Sequence, residues 1–228
     1  MTNYLSVILL RLEGPMQAWG IGSRFTDRHT EAEPTKSGVI GLLSSALGRS
    51  RDEDISDLSS MVMAVRVDRE GDIVYDYHTT LDVLRAKAKG KITSSKLGTV
   101  VSRRFYIADA CFLVGLFSNK EDLLTELIKA LEYPKWPIFL GRKSFPASSP
   151  LLLSPKLIRK PLELTMKAFP WQGRKKDKRP KKLRLIIECE FGEGEPKLDV
   201  PVSFATREYL NRYLRTEFIS TESLMDGE

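Results

Sequence analysis

Three stretches of this sequence combine residue types that suit phosphate, and a fourth holds a candidate for proton transfer. In the first, Pro34-Thr35-Lys36-Ser37-Gly38 opens a predicted helix. A helix N-terminus offers unpaired N–H groups and the positive end of the helix dipole, to which Lys36 and Ser37 add a charge and a hydroxyl. Gln17 and Trp19, in the preceding Leu12–Gly20 segment, are candidates to order the loop beside it and to touch the same ligand. The plainer alternative is that Thr35 merely caps the helix and Trp19 packs beneath a loop. In the second stretch, Phe139–Pro146, Gly141 lets the backbone approach an anion while Arg142 and Lys143 supply charge. The spaced GxxxxGK[ST] pattern of a nucleotide-binding loop is missing, and a solvated basic turn is the alternative.

The third stretch, Val83 to Ala108, carries seven basic residues and no acid. It runs from Arg85 to the pair Arg103-Arg104, followed by Phe105 and Tyr106. Basic side chains interleaved with aromatics suit single-stranded RNA, whose unstacked bases lie on rings or guanidinium planes. A merely solvated charged surface has the same composition. The fourth is His78 in Asp76-Tyr77-His78-Thr79-Thr80; with His29 it is one of only two histidines. A metal-independent ribonuclease needs a general base and acid, which His78 with Tyr77 or a lysine could supply. A histidine bonded to backbone or to a base is the simpler reading. GxSxG, HExxH and paired-carboxylate arrangements are absent from the sequence, so no metal or cofactor is expected. Cys111 and Cys189 lack a CxxC partner and read as reduced core thiols of a cytoplasmic protein.

The net charge is +6 over 228 residues, but it is unevenly placed. Besides the acid-free window, Trp171 to Arg184 holds eight basic residues and one acid, which leaves the rest of the chain at −8. An acidic body with two basic projections points to a polyanionic partner. No apolar run approaches a membrane span and no secretory leader opens the sequence.

Elements must position these residues. Leu5–Leu12 reads as a strand buried on both faces, followed by a long loop from Met16 to Pro34. Val39, Leu42, Leu43, Ala46 and Leu47 give the helix after Thr35 one apolar stripe, with Gly48 at its end and a short helix within Asp52–Met61. Val62–Asp68 and Asp72–Thr80 read as a hairpin, and Val83–Arg104 as an extended arm off the sheet. Ile107–Phe117 reads as one strand, and Ser118-Asn119-Lys120-Glu121 as the capping box of a second amphipathic helix ending at Tyr133-Pro134. A last strand is expected around Pro150–Ser154, and two more at Leu183–Phe191 and Leu198–Phe204. Strand, helix, strand, strand, helix, strand is the order of an α+β, ferredoxin-like (RRM-like) split βαβ unit with an insertion. The expected division is residues 1–155, with the arm at about 81–106, and residues 156–228 as a basic linker and small C-terminal β module.

The blocks Leu10–Gly20, Pro34–Leu43, Asp76–Thr79, Tyr106–Ala110, Leu140–Ser144 and Phe204–Glu208 keep one order over the chain. As an ordered set they resemble the RAMP superfamily, and within it the Cas-five family, whose type I-E Cascade members bind the 5′ handle of CRISPR RNA. The resemblance implies a ferredoxin-like domain with a projecting thumb and a small C-terminal β region. It implies a non-catalytic RNA-binding subunit that caps the crRNA 5′ handle and helps to seat the large subunit in antiviral defence. The implied partners are crRNA, the backbone, large and small subunits of Cascade, and target DNA through the assembled complex. The alternative it carries is a metal-independent endoribonuclease, as in type I-C relatives, where the corresponding subunit uses a tyrosine, a lysine and a histidine. The expected RNA-binding residues are Gln17, Trp19, Lys36, Ser37, His78, Arg85, Arg103, Arg104, Tyr106, Gly141, Arg142 and Lys143.

Overall fold

The protein is described by a computed structural model, which covers residues 6–20, 26–84, 97–174 and 176–223. It is a mixed α/β, sheet-rich structure with few helices. The apolar strand β1 (Ser6–Glu13) is buried on both faces, with Ile8, Leu10 and Leu12 on one side and Val7 and Leu9 on the other. Helix α1 (Lys36–Leu47) starts at Thr35, whose Oγ1 accepts from Gly38 N at 3.2 Å, and closes at Gly48 in the left-handed conformation. After the single helical turn α2 (Ser56–Ser59), strand β4 (Val62–Arg69) enters the sheet.

The hairpin expected between β4 and the next strand does not form. At Gly71 (φ 71°) the chain swings out of the sheet, and β5 (Asp72–Val83) pairs instead with β6 (Gly98–Ala108) as a two-stranded ribbon. The projecting arm is thus rooted at Asp72, about ten residues earlier than the charge window suggests. Most of β5 is exposed, including Ile73, Tyr75, Tyr77 and Leu81. The long loop after β1 supplies two short strands, β2 (Met16–Gln17) and β3 (Asp27–Arg28), both paired with β6 at the root of the ribbon.

The strand expected at Ile107–Phe117 is broken at Asp109 (φ 59°), where the chain leaves the ribbon and re-enters the main sheet as β7 (Cys111–Ser118). Helix α3 (Glu121–Glu132) buries Leu123, Leu124, Leu127, Ile128 and Leu131 and packs beside α1. Its capping box is not made: Lys120 is the cap, and Ser118 Oγ accepts from Lys120 N. Near Pro150–Ser154 only an isolated bridge, Leu10–Leu152, joins the sheet; the edge strand is β8 (Ile158–Arg159). Helix α4 (Leu162–Ala168), absent from the sequence reading, covers the opposite face with Leu162 and Met166.

The C-terminal strands are β9 (Lys182–Cys189), β10 (Glu195–Ser203) and β11 (Glu208–Ser220), the last of them unexpected. They continue the main sheet, because β9 pairs with β4, giving the order β10-β11-β9-β4-β7-β1-β8. Cys111 is buried and Cys189 partly so; neither is in a disulfide. Among the described residues, no helix is long and apolar enough to cross a membrane.

One buried cation ties α4 to the sheet. Arg66 on β4 donates to both oxygens of Asp68 (2.6 and 2.8 Å) and to the carbonyls of Met166, Phe169 and Pro170 just beyond and within α4. Arg66→Ala leaves the fully buried Asp68 carboxylate without its cation, so it should lower stability by about 3–5 kcal/mol in urea unfolding. Adding Asp68→Ala should recover part of that loss; a single variant as stable as wild type would contradict the assignment.

Candidate nucleic-acid interface

The loop after α3 is the hub of the candidate site. It closes on itself through Leu140 N→Phe145 O (2.8 Å) and Phe145 N→Arg142 O (2.9 Å), and it is pressed on the chain after β1 by Ala18 N→Leu140 O (3.0 Å). Gly141 has φ 89°, and a Cβ there would lie 1.7 Å from the Ala18 carbonyl oxygen. Only glycine permits that turn and that approach together. The close fit carries Arg142 to the root of the ribbon and leaves the exposed Lys143 on the rim of a neighbouring groove.

At the ribbon root Arg142 Nη2 donates to the Phe105 carbonyl (2.7 Å) and, more weakly, to that of Arg28 (3.4 Å). Its guanidinium lies 5.4 Å from the Phe145 ring centroid. Burial, reinforced by the neighbouring charges of Arg104 and Arg28, pushes the Arg142 guanidinium below its ordinary value, with Asp76 opposing. Arg28 and Arg104 thus place positive charge beside the Arg142 guanidinium. Beside them Phe105 is stacked by His29 (5.0 Å between centroids) and flanked by Tyr75 (5.5 Å), while Tyr106 meets Phe145 (5.7 Å). Arg103 is committed to Asp27 at 2.8 Å.

The groove, about 940 Å³, runs from the first turns of α1 to the turn between β10 and β11. Ser37, Gly38 and Gly41 line it on α1, Trp136 and Phe139 on the hub side, and Phe204, Arg207 and Tyr209 opposite. Arg51 and Lys143 add charge, Arg49 is already bidentate to Asp57 (2.6 and 2.7 Å), and no carboxylate is among the described residues that line it. A cationic, aromatic and hydroxyl-bearing concavity next to an arginine cluster is the pattern that holds a single-stranded backbone and its bases.

Several expected residues sit elsewhere. Lys36 is buried, and its Nζ donates to both oxygens of Glu188 (2.9 and 3.1 Å). The α1 N-terminus already holds an anion, because Lys36 N donates to Asp199 Oδ2 at 2.8 Å. Burial, opposed by Glu188, pushes the Lys36 ammonium below its ordinary value. Lys36 is therefore removed from the anion-facing set. Gln17 and Trp19 are also buried. Gln17 Nε2 donates to the carbonyls of Leu12 and Ala110, Trp19 Nε1 donates to Gln17 Oε1, and the indole lies on Gly38, where a Cβ would come within 2.7 Å of the ring. They support the hub and α1 from beneath rather than facing a ligand.

His78 is half-exposed on the ribbon, with Nδ1 3.8 Å from Asp76 Oδ2. Asp76 and His78 stand opposite Arg104 and Ser102 in the ribbon register. Arg85 lies outside the described residues. The sequence reading missed Arg28, the stacked His29, Arg49, Arg51, Trp136 and Arg207. Of these, Arg207 lay in a recognised block, and Arg28-His29 was readable only as polar loop.

The loop carrying Arg28 and His29 is held by ion pairs to the C-terminal strands. Lys197 on β10 meets Glu31 (3.0 Å) and Glu33 (3.3 Å), and Arg184 on β9 meets Glu33 (2.9 Å) and Glu70 (2.9 Å). The α1 N-terminus is joined to the same strands by Lys36, Glu188, Arg212 and Asp199, with Arg212 donating to both Asp199 oxygens (2.6 and 2.8 Å).

With this geometry established, the family profile of CRISPR-associated protein (Cas_Cas5) matches residues 7–216. The chain is 33% identical to the CRISPR system Cascade subunit CasD of Escherichia coli (strain K12), over 90% of this chain and 94% of that protein. It superposes on a chain from a CRISPR RNA-guided surveillance complex with a TM-score of 0.78 and 31% identity, covering 97% of this chain and 95% of that one. A crystal structure of a Cas protein matches with a TM-score of 0.77 and 38% identity, covering 97% and 98%.

Glu33 supplies a pH test of the loop anchor. Burial would raise its carboxyl pKa, but Arg184 and Lys197 outweigh it and hold the carboxyl below its ordinary 4.5. Its contribution to stability is therefore complete above that value and is lost as pH falls through the lowered one. Glu33→Gln should lower the Tm at pH 7, and the difference from wild type should shrink in acid below pH 4.5. A Tm difference that stays constant with pH would contradict the pairing.

Proposed function

This chain belongs to the CRISPR-associated Cas5 family, and on that premise we propose that it is a non-catalytic RNA-binding subunit of a type I-E Cascade complex, capping the 5′ handle of crRNA. The observation that carries the reading is the hub at Gly141-Arg142-Lys143, which joins the Arg28–Arg104–Arg142 cluster to the acid-free groove on α1. Phosphates of the handle lie along the guanidiniums and Lys143. Bases find rings at Phe105, Tyr75 and Trp136. Ser37 lies at the groove's α1 end.

The finer fold assignment is ferredoxin-like. It is supported by the order β1, α1, β4, β7, α3, β8 and by the adjacency β4-β7-β1-β8 within the sheet. In this reading residues 1–155 form the ferredoxin-like unit and include the thumb, while residues 156–228 form the C-terminal β region that braces it and supplies the far wall of the groove. The thumb, with His78 on it, reaches over the guide toward the backbone subunit. The exposed faces of the fold seat the large and small subunits, and target DNA is met through the assembled cytoplasmic complex. His78 serves as a base contact, consistent with an environment whose described charged neighbour is a carboxylate 3.8 Å away.

Binding of end-labelled repeat RNA, followed by a denaturing gel in chelator, tests both halves of the proposal. Replacing Arg142 and Lys143 by alanine should weaken binding roughly tenfold and reduce the salt slope by about 1.4, the share of two phosphate contacts on a single strand. The RNA should be recovered intact. An unchanged affinity and slope would refute the hub. A discrete product lost on His78→Ala would place the chain among the nucleases instead.

A further inference from the structure

The second basic projection takes no part in the handle surface. We propose that residues 176–182 form a separate nucleic-acid contact, in which Lys176, Lys178, Lys181 and Lys182 hold a phosphodiester backbone outside the handle. It goes beyond the handle-capping reading and does not depend on it.

The arginines around this segment are spent inside the protein. Arg174 pairs with Asp109 (2.7 Å) and Asp177 (3.1 Å), Arg184 with Glu33 and Glu70, and Arg179 Nη2 donates to the Thr221 carbonyl. The one acid of the tract, Asp177, is neutralised by Arg174 and by Arg69 at 2.8 Å. The four lysines are exposed, and none makes an ion pair with a described residue.

The backbone that carries them is fixed. Trp171 Nε1 donates to the Asp68 carbonyl (2.9 Å) and Gln172 N to Asp68 Oδ2 (2.6 Å). At the other end Thr221 Oγ1 donates to the Pro180 carbonyl (2.5 Å), Thr221 N donates to that of Lys181 (3.1 Å), and Lys182 enters β9 opposite Ser220. A segment tied at both ends, with its arginines engaged and its four lysines exposed, holds a local excess of positive charge that attracts a polyanion.

A nucleic acid fits better than an acidic protein surface. Bidentate carboxylate recognition is an arginine property, and here every described arginine of the tract is already engaged. Lysine ammoniums are point charges that tolerate the varied directions of backbone phosphates. Lys178 and Lys182 also flank a cavity of about 280 Å³ lined by Trp171 and Phe218, whose three carboxylates, Asp68, Glu70 and Asp177, are each paired with an arginine. Phe218 is 67% exposed and offers a sugar or base an apolar face beside the lysines.

The test uses the full chain with three labelled probes: a random-sequence DNA duplex, a spacer-sequence RNA lacking the handle, and the handle RNA. Replacing Lys178, Lys181 and Lys182 together by glutamine should weaken binding of the duplex, the handle-free RNA or both by roughly tenfold. The salt slope should fall by about 2.7 on the duplex or about 2.1 on the RNA, whichever is the ligand. Handle RNA affinity should not change in this variant, and should change with alanine at Arg142 and Lys143, so the two surfaces fail separately. Arginine at the same three lysines should retain binding. The proposal is overturned if both handle-free probes bind the glutamine variant as they bind wild type, including the case where that variant loses a co-purifying subunit instead. It is also overturned if the arginine variant binds as poorly as the glutamine one.

Discussion

The structure depends on a buried ionic cluster that crosses the whole sequence. Lys36 at the start of α1, Glu188 on β9, Asp199 on β10 and Arg212 on β11 form one network in which each carboxylate meets a cation and Asp199 also accepts from the first N–H of α1. Burying four charges is expensive, and removing any one strands the rest, so the cluster specifies a single arrangement of the C-terminal strands against α1. That arrangement creates the groove, because its far wall is the β10–β11 turn and its floor is α1. A phosphate could not serve this purpose. The helix terminus is filled by an intramolecular carboxylate, and the exposed positive charge stands instead at the groove rim and the ribbon root.

The same division runs through the molecule. Most arginines are paired with carboxylates that hold loops in place, such as Arg69 with Glu13 and Asp177, Arg103 with Asp27, and Arg184 with Glu33 and Glu70. Against that neutralised background, Arg28 and Arg104 add positive charge beside Arg142, with Asp76 opposing. Exposed ion pairs contribute little stability, but they decide where positive potential survives. Neutralisation elsewhere leaves the excess positive charge of a moderately basic protein concentrated on two surfaces.

Much of the core was legible in the sequence because its signals are local. The apolar run of β1, the caps Thr35 and Gly48, and the stripe of α3 each lie within a dozen residues and were read with nearly their observed bounds. Non-local choices were not legible. Nothing near Asp72 says that β5 will leave β4 for a register that sets Asp72 opposite Ala108, since both pairings satisfy the same alternation. Strand β11, Glu-Tyr-Leu-Asn-Arg-Tyr-Leu-Arg-Thr-Glu-Phe-Ile-Ser, hides its period behind charged residues that pair across the sheet. Lys36 looked like a phosphate ligand because its neutralising Glu188 lies 152 residues on. The Gly141-Arg142-Lys143 turn was legible because glycine followed by two cations is a short-range pattern, while Arg28, Trp136 and Arg207 come near it only through folding.

The most direct measurement is photocrosslinking of a Cascade complex assembled on guide RNA with 4-thiouridine placed singly along the 5′ handle, with the crosslinked peptides identified by mass spectrometry. The account predicts crosslinks from handle positions to peptides containing Phe105 and Tyr106, Trp136 to Lys143, and Phe204 to Tyr209. Crosslinks confined to other parts of this chain, or to other subunits alone, would contradict it.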